Sequence, residues 1–394
     1  MTQQPPVPTS PAGDTIECSE CQFEVPALEY CVRCGDPLAD EKRARAPLSG
    51  RRAHFVAQPD ERAFGLHVVS TLFPQLPRAD MGTFRAVLII GLVVIVGLAA
   101  AGFFPLAVVA AAMLVPLMMV LYVWDVDVYE DEPLRVIAFT AAWGIVAGII
   151  VGLLSRLLPS GAGILDPLSA TDLLSRGVLI PLASGVAMLI GPLVLLPYRK
   201  FNDVLDGATF GATSAVAFSG ALVLSQGAGL FAAGLRPPGD PLPWIVRLLS
   251  LGIAAPLIAA GVIGATAGAF WLQYRAPLRD RRKLGLVGRP FVASAVALLV
   301  LMASAIGVQL LPFLPALLWQ TVLAIVALVW LRTVIHLGLL QEAAEIEIGA
   351  PVACPNCGRQ TPAHSFCGNC GASLRAAPKS RVVPAAAVRP DRPA

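Results

Sequence analysis

Charged residues are scarce in this sequence. Asp, Glu, Lys and Arg make up 14% of its 394 residues, well short of the roughly 25% of a soluble globular chain, and that shortfall argues against an ordinary water-soluble fold. Histidine is rarer still: His54, His67, His336 and His364 are the whole complement, too few to furnish a conventional His-rich hydrolytic metal site. The opening residues, MTQQPPVPTSPAG, have neither a basic n-region nor an apolar h-region. A cleavable signal peptide is therefore not expected, and the first membrane helix must direct insertion. A net charge of +3 is too small to imply nucleic acid. The basic residues sit in loops beside apolar runs, where they read as topology and not as a polyanion-binding face.

What the chain has in excess is apolar material, 56% of its residues, confined to about 84 to 340. The runs 86–104, 106–124, 136–157, 177–197, 207–234, 247–272, 291–310 and 316–338 each approach the roughly 20 residues that a helix needs to cross a bilayer. The expected fold class is an all-α polytopic membrane domain of about eight transmembrane helices over 84–340, with a small zinc-ribbon module at each end. Arg78, Arg85, Arg135, Arg199, Lys200, the loop Arg275 to Arg289, and Arg332 would flank one side; Arg156, Arg176, Arg236 and Arg247 the other. The positive-inside tendency then puts both termini in the cytosol and the protein in the cytoplasmic membrane.

Residues 1–15 and the basic stretch 374–394 are rich in Pro and Ala, without hydrophobic periodicity, and are expected to be disordered. Residues 38–83 form a linker with a short amphipathic helix, in which Phe64, Val68, Val69 and Leu72 share a face, Asp60 caps the start and Pro74 and Pro77 stop it. Two placements stay open for it, in the membrane interface or against the cytosolic loops. Asp125, Asp127, Glu130, Asp131 and Glu132 read as a solvated acidic loop, with cation binding or pairing to the basic loop as alternatives. Gly144, Gly148 and Gly152, Gly207 with Gly211, and Gly264 with Gly268 are spaced to let helices approach closely. Asp206 is expected to cap the fifth helix.

All eight cysteines lie outside the apolar region. Cys18, Cys21, Cys31 and Cys34 follow the pattern C-x2-C-x9-C-x2-C, and Cys354, Cys357, Cys367 and Cys370 repeat it without a single-residue difference. Pro26 and Pro362 each follow the second Cys by five residues, Tyr30 and Phe366 each precede the third, and Gly35 and Gly371 each follow the fourth. Two C-x2-C turns brought together complete a tetrahedral sulfur cage, which predicts two structural zinc ions in ribbons 16–37 and 352–373. Disulfides are disfavoured by cytosolic exposure, and an iron–sulfur centre by the ribbon-like turn chemistry. His364 lies inside the second ribbon, but four Cys already fill that site, so a surface position is expected for it. Whether the ribbons pack on each other or act separately is left open.

Two stretches, YVWDVDVYEDEPLRVIAFTAAWG (122–144) and PLASGVAMLIGPLVLLPYRKFNDVLDGATFGATSAVAF (181–218), resemble the PrsW family of intramembrane metalloproteases, in particular its actinobacterial branch, whose members carry a zinc ribbon. The most specific part is Asp203, Asp206, Gly207, Phe210, Gly211 and Phe218. The resemblance implies the membrane fold. It also implies where catalytic groups would stand: an adjacent Glu pair, a following Lys and a later Glu. Here those positions hold Ser184, Gly185, Met188 and Leu222, and the family's later intramembrane His has no counterpart between 245 and 272.

The leading expectation is therefore a non-catalytic, PrsW-like membrane scaffold or regulator, bound to the lipid bilayer and to a protein partner through its zinc ribbons, with no catalytic residues. The alternative is an active intramembrane metalloprotease with a rearranged site using Asp203 or Asp206. A transporter or channel is disfavoured because few polar residues in the spans are expected to line a path. His336 is expected to be a solvated histidine at the end of the last span.

Overall fold

A computed structural model describes residues 14–19, 21, 23–38, 71–73, 82–130, 134–157, 170–201, 203–232, 234–275, 285–286, 288–345, 347–354, 357–371 and 374. The chain divides into two compact units, Met1–Ala63 with Ala343–Ala394, and Phe64–Glu342.

In the second unit, apolar runs become helices because a continuous helix satisfies every backbone group internally. They are α1 (Gly82–Ala100), α2 (Phe104–Glu130), α3 (Leu134–Leu157), α4 (Ala170–Leu195), α5 (Val204–Ser225), α6 (Leu242–Tyr274), α7 (Pro290–Leu310) and α8 (Phe313–Glu345). Among the described residues, eight helices are long and apolar enough to cross a membrane. α4 and α6 each contain one π-helical turn, Ser175–Leu179 and Ser250–Ala254.

The unit is built around α5. Of its apolar window 78% is buried and of that of α6 67%, against 11% for α1 and 17% for α7, so α5 and α6 form the centre and α1 and α7 the rim. Small residues make this possible. A Cβ on Gly144 would strike the carbonyl of Ser214, one on Gly148 that of Phe218, and one on Gly152 the side chain of Ser225; α3 thus lies directly on the α5 backbone. Gly207 rests on the Trp271 ring and Gly211 against Ile263 and Ala267 of α6. The glycine spacings read from the sequence mark these crossings. Two polar side chains inside the unit tie neighbouring helices through backbone: Trp143 Nε1 donates to Ala187 O at 2.8 Å and Ser214 Oγ to Met188 O at 2.8 Å.

Several expectations need correction. The fifth helix stops at Ser225, and Gly227–Leu230 is a separate turn. The acidic stretch is not all loop, because α2 runs on through Asp125 and Asp127 to Glu130. Asp206 is not itself the cap of α5: Asp203 is the N-cap, and Asp206, three residues on, accepts its N–H at 3.1 Å, forming a capping box. His336 is 7% exposed and Arg332 fully buried, so neither is a solvated flank. Arg332 Nη1 donates to Thr71 Oγ1 at 3.3 Å. Thr71, Leu72 and Phe73 are buried, with the Phe73 ring against Phe84 of α1 and Tyr122 of α2. The remainder of the linker helix, its cap Asp60, the tails 1–13 and 375–394, and Asp131 and Glu132 lie outside the described residues.

The first unit holds two hairpins. β1 (Thr15–Glu17) pairs antiparallel with β2 (Glu24–Pro26), Ile16 opposite Val25; β3 (Pro351–Ala353) pairs the same way with β4 (Gln360–Pro362), Val352 opposite Thr361.

Candidate metal centres

Each hairpin presents one C-x2-C turn, and the loop after it presents the second. The backbone bonds that shape them recur at equivalent positions. Cys18 N–H donates to Phe23 O and Cys354 N–H to Arg359 O; Gly35 N–H donates to Cys31 O and Gly371 N–H to Cys367 O, both at 2.8 Å. Gly35 and Gly371 have φ of 76° and 70°, the left-handed region in which glycine carries no Cβ penalty. That is the physical reason glycine follows the fourth cysteine in both copies.

The four sulfurs of each cluster lie within 4.8 Å of one another. Cys18 and Cys34 are 3.6 Å apart, Cys21 and Cys31 3.7 Å, Cys354 and Cys370 3.8 Å, and Cys357 and Cys367 3.8 Å. A tetrahedral ion with sulfur bonds of about 2.3 Å separates its ligands by about 3.8 Å. Disulfide sulfurs stand roughly 2.05 Å apart, and all eight cysteines are free. Hydrogen bonds from Cys21, then Cys31 and Cys34, hold the Cys18 thiol far below the usual range; Cys354 does the same for Cys367, bringing it down to about 4. Other thiols of the same clusters move the opposite way: hydrogen bonds with Cys18 and Cys21 push Cys31 and Cys34 well above the usual range, and burial pushes Cys357 up. All eight predicted ligands are brought together, four and four. Among the described residues, no other group of three or more His, Cys, Asp or Glu side chains converges in this way.

The two ribbons also pack on each other, which the spacing alone left open. Tyr30 N–H donates to Gly368 O at 2.8 Å and Phe366 N–H to Val32 O at 2.9 Å. Tyr30 and Phe366 hold the same place in the repeat, as do Val32 and Gly368, so the contact is reciprocal, with an approximate two-fold axis. The Phe366 ring lies over Gly35 and the Leu28 side chain over Gly368. His364, expected on the surface, is half-buried here, its Nδ1 3.0 Å from Val32 O. Arg359 and Glu29 form an exposed ion pair at 4.0 Å across the contact.

In the helical unit, Ser184, Met188 and Leu222 line one cavity of about 730 Å³, while Gly185 faces Leu298 and Leu301 of α7. Three of the four positions that the family resemblance singles out therefore converge, though none carries an ionisable side chain. Asp203 and Asp206 are at the other end of α5, occupied in its capping box. Sequence reading found few polar residues in the spans, but the fold gathers several of them around this cavity, including Ser250, Ser304, Gln309 and Gln320. A signal for it existed: Leu173-Leu174-Ser175-x-Gly177-x-x-x-Pro181-Leu182 is repeated as Leu248-Leu249-Ser250-x-Gly252-x-x-x-Pro256-Leu257, and both π turns lie within the repeat. No model of a known family, no curated protein and no solved structure matches the chain.

Proposed function

We propose that the chain is a multi-pass protein of the cytoplasmic membrane, with both termini cytosolic, whose cysteine clusters each hold one structural zinc ion and whose double ribbon docks a protein partner. The single observation that carries this reading is the pair of four-sulfur cages with ligand spacings of 3.6 to 3.8 Å. Zinc fits a four-thiolate shell on ribbon turns in a reducing compartment. A closed shell leaves no coordination position for substrate, so the ions act by folding the module and not by catalysis. The helical unit serves in this reading as a non-catalytic, PrsW-like anchor. Support for that part comes from the uncharged residues at 184, 185, 188 and 222, since metal-dependent hydrolysis needs ligands and a base that these side chains do not offer.

The test combines metal analysis with partner capture on the purified full chain. Two zinc ions per chain are expected, falling to one in Cys354→Ser/Cys357→Ser, with loss of the partner and unchanged membrane insertion. Retention of the same partner by a zinc-free variant would remove the docking role. Chelator-sensitive cleavage of a membrane substrate, abolished by Asp206→Ala, would establish the protease reading in its place.

A further inference from the structure

The repeated Ser-x-Gly-x-x-x-Pro segments explain why α4 and α6 each carry a π turn. Pro181 and Pro256 have no N–H to give the carbonyl four residues back, and their rings crowd it. One extra residue in the turn relieves this: Ile180 N–H bonds to Ser175 O and Ala255 N–H to Ser250 O. Such insertions are frequent at functional sites, and here both border the 730 Å³ cavity, whose size is that of a small-molecule pocket (roughly 300 to 1,000 Å³).

The cavity is graded along its depth. Arg156 near the end of α3 and Arg176 near the start of α4 are at its rim with exposed side chains. Below them Ser250 Oγ donates to Gln320 Oε1, and Gln320 Nε2 approaches Ser304 Oγ at 3.5 Å. Ser184 Oγ and Gln309 Oε1 are buried and have no hydrogen-bond partner, Ser184 with only 7% of its surface exposed. An orphaned hydroxyl in an apolar surrounding is costly and ordinarily finds a partner. The floor is Met188, Phe218, Ile258 and Leu301. At 1.5 Å per residue, Arg176 to Met188 spans roughly 18 Å, about half a bilayer.

We infer that this cavity binds a single-chain anionic amphiphile: a phosphate or carboxylate head between Arg156 and Arg176, at the level where Gln309 meets Gly177, an ester or hydroxyl group against Ser184, and an acyl chain on the apolar floor. Each zone meets the chemistry it lacks. The head gains charge-assisted bonds, the Ser184 hydroxyl gains an acceptor, and the chain stays out of water. The inference rests on the bundle lying in a bilayer and is independent of the zinc ribbons.

Equilibrium binding of radiolabelled 1-oleoyl-lysophosphatidylglycerol to the detergent-purified full chain tests it. Saturable binding of one molecule per chain is expected, with uncharged monooleoylglycerol held at least about tenfold more weakly and inorganic phosphate unable to compete. Arg156→Gln/Arg176→Gln should weaken binding about a hundredfold, about tenfold for each charge-assisted contact. Ser184→Leu, which fills the middle zone, should abolish it, with elution profile and zinc content confirming an intact protein. Equal binding of neutral and anionic probes, an undiminished arginine variant, or non-saturable uptake would overturn the inference. Displacement by inorganic phosphate would overturn the amphiphile and leave an anion site alone. Failure to extract the chain with the membrane fraction would instead sink the bilayer reading beneath it.

Discussion

In the cysteine unit, two short copies of one motif bury Cys18, Cys31, Cys354 and Cys367 with a few apolar side chains, Val25, Val32 and Phe366 among them. In the helical unit, α5 alone buries sixteen residues, most of them Gly, Ala, Ser or Val. The first has little apolar surface to bury against its ordering entropy, and a metal held by its cysteines would supply the difference. The second has no need of one, because closely crossing helices with small residues let backbone and side-chain dispersion accumulate along their whole length. If the clusters hold metal as proposed, the contrast implies two sources of order in this chain, one in each compact unit.

The largest expected effect follows from removing metal. Structural zinc contributes on the order of 10 to 16 kcal/mol per site, so a strong chelator should unfold the ribbons. Helix content by circular dichroism, which reports α1 to α8, should hardly change. Loss of helix on chelation would break the comparison. A step down, Phe366→Ala removes a side chain 6% exposed that covers Gly35, and should cost about 3 kcal/mol of ribbon stability. Limited proteolysis should then cut the cysteine unit and spare the bundle. In the bundle, Gly148→Val places a branched side chain against the Phe218 carbonyl. A loss of about 1 to 3 kcal/mol is expected, seen as a lower melting temperature in detergent with zinc content intact. Smallest is Glu29→Gln, which severs an exposed ion pair with Arg359; thermal stability should move by less than about 1 kcal/mol.

How much of this was legible beforehand differs between the units for the same physical reason. Metal ligands must sit at short fixed spacings, so Cys18 to Cys34 and Cys354 to Cys370 declare both sites in one dimension. The reciprocal contact between the ribbons does not, since Tyr30 meets Gly368 and Val32 meets Phe366 through backbone groups that every residue possesses. The eight helices were visible as apolar runs. Their interior was not, because Ser184, Ser250, Ser304, Gln309 and Gln320 occur one or two to a helix and look like isolated polar residues until α4, α6, α7 and α8 are placed together. Boundaries failed where hydropathy continues past the geometry: Gly227–Leu230 is apolar yet forms its own turn after α5, and α2 remains helical through acidic residues that hydropathy had ended. His336 is not at a helix end at all: α8 continues to Glu345, past the point where hydropathy falls, and the residue lies buried inside it.

The claim on which the account most depends is that the two cysteine clusters hold structural zinc. X-ray absorption at the zinc edge on the purified full chain, calibrated against protein concentration, addresses it directly. Two zinc ions per chain are expected, each in a shell of four sulfurs at about 2.3 Å. Iron in their place, a shell containing nitrogen or oxygen, or thiols recovered as disulfides would contradict it.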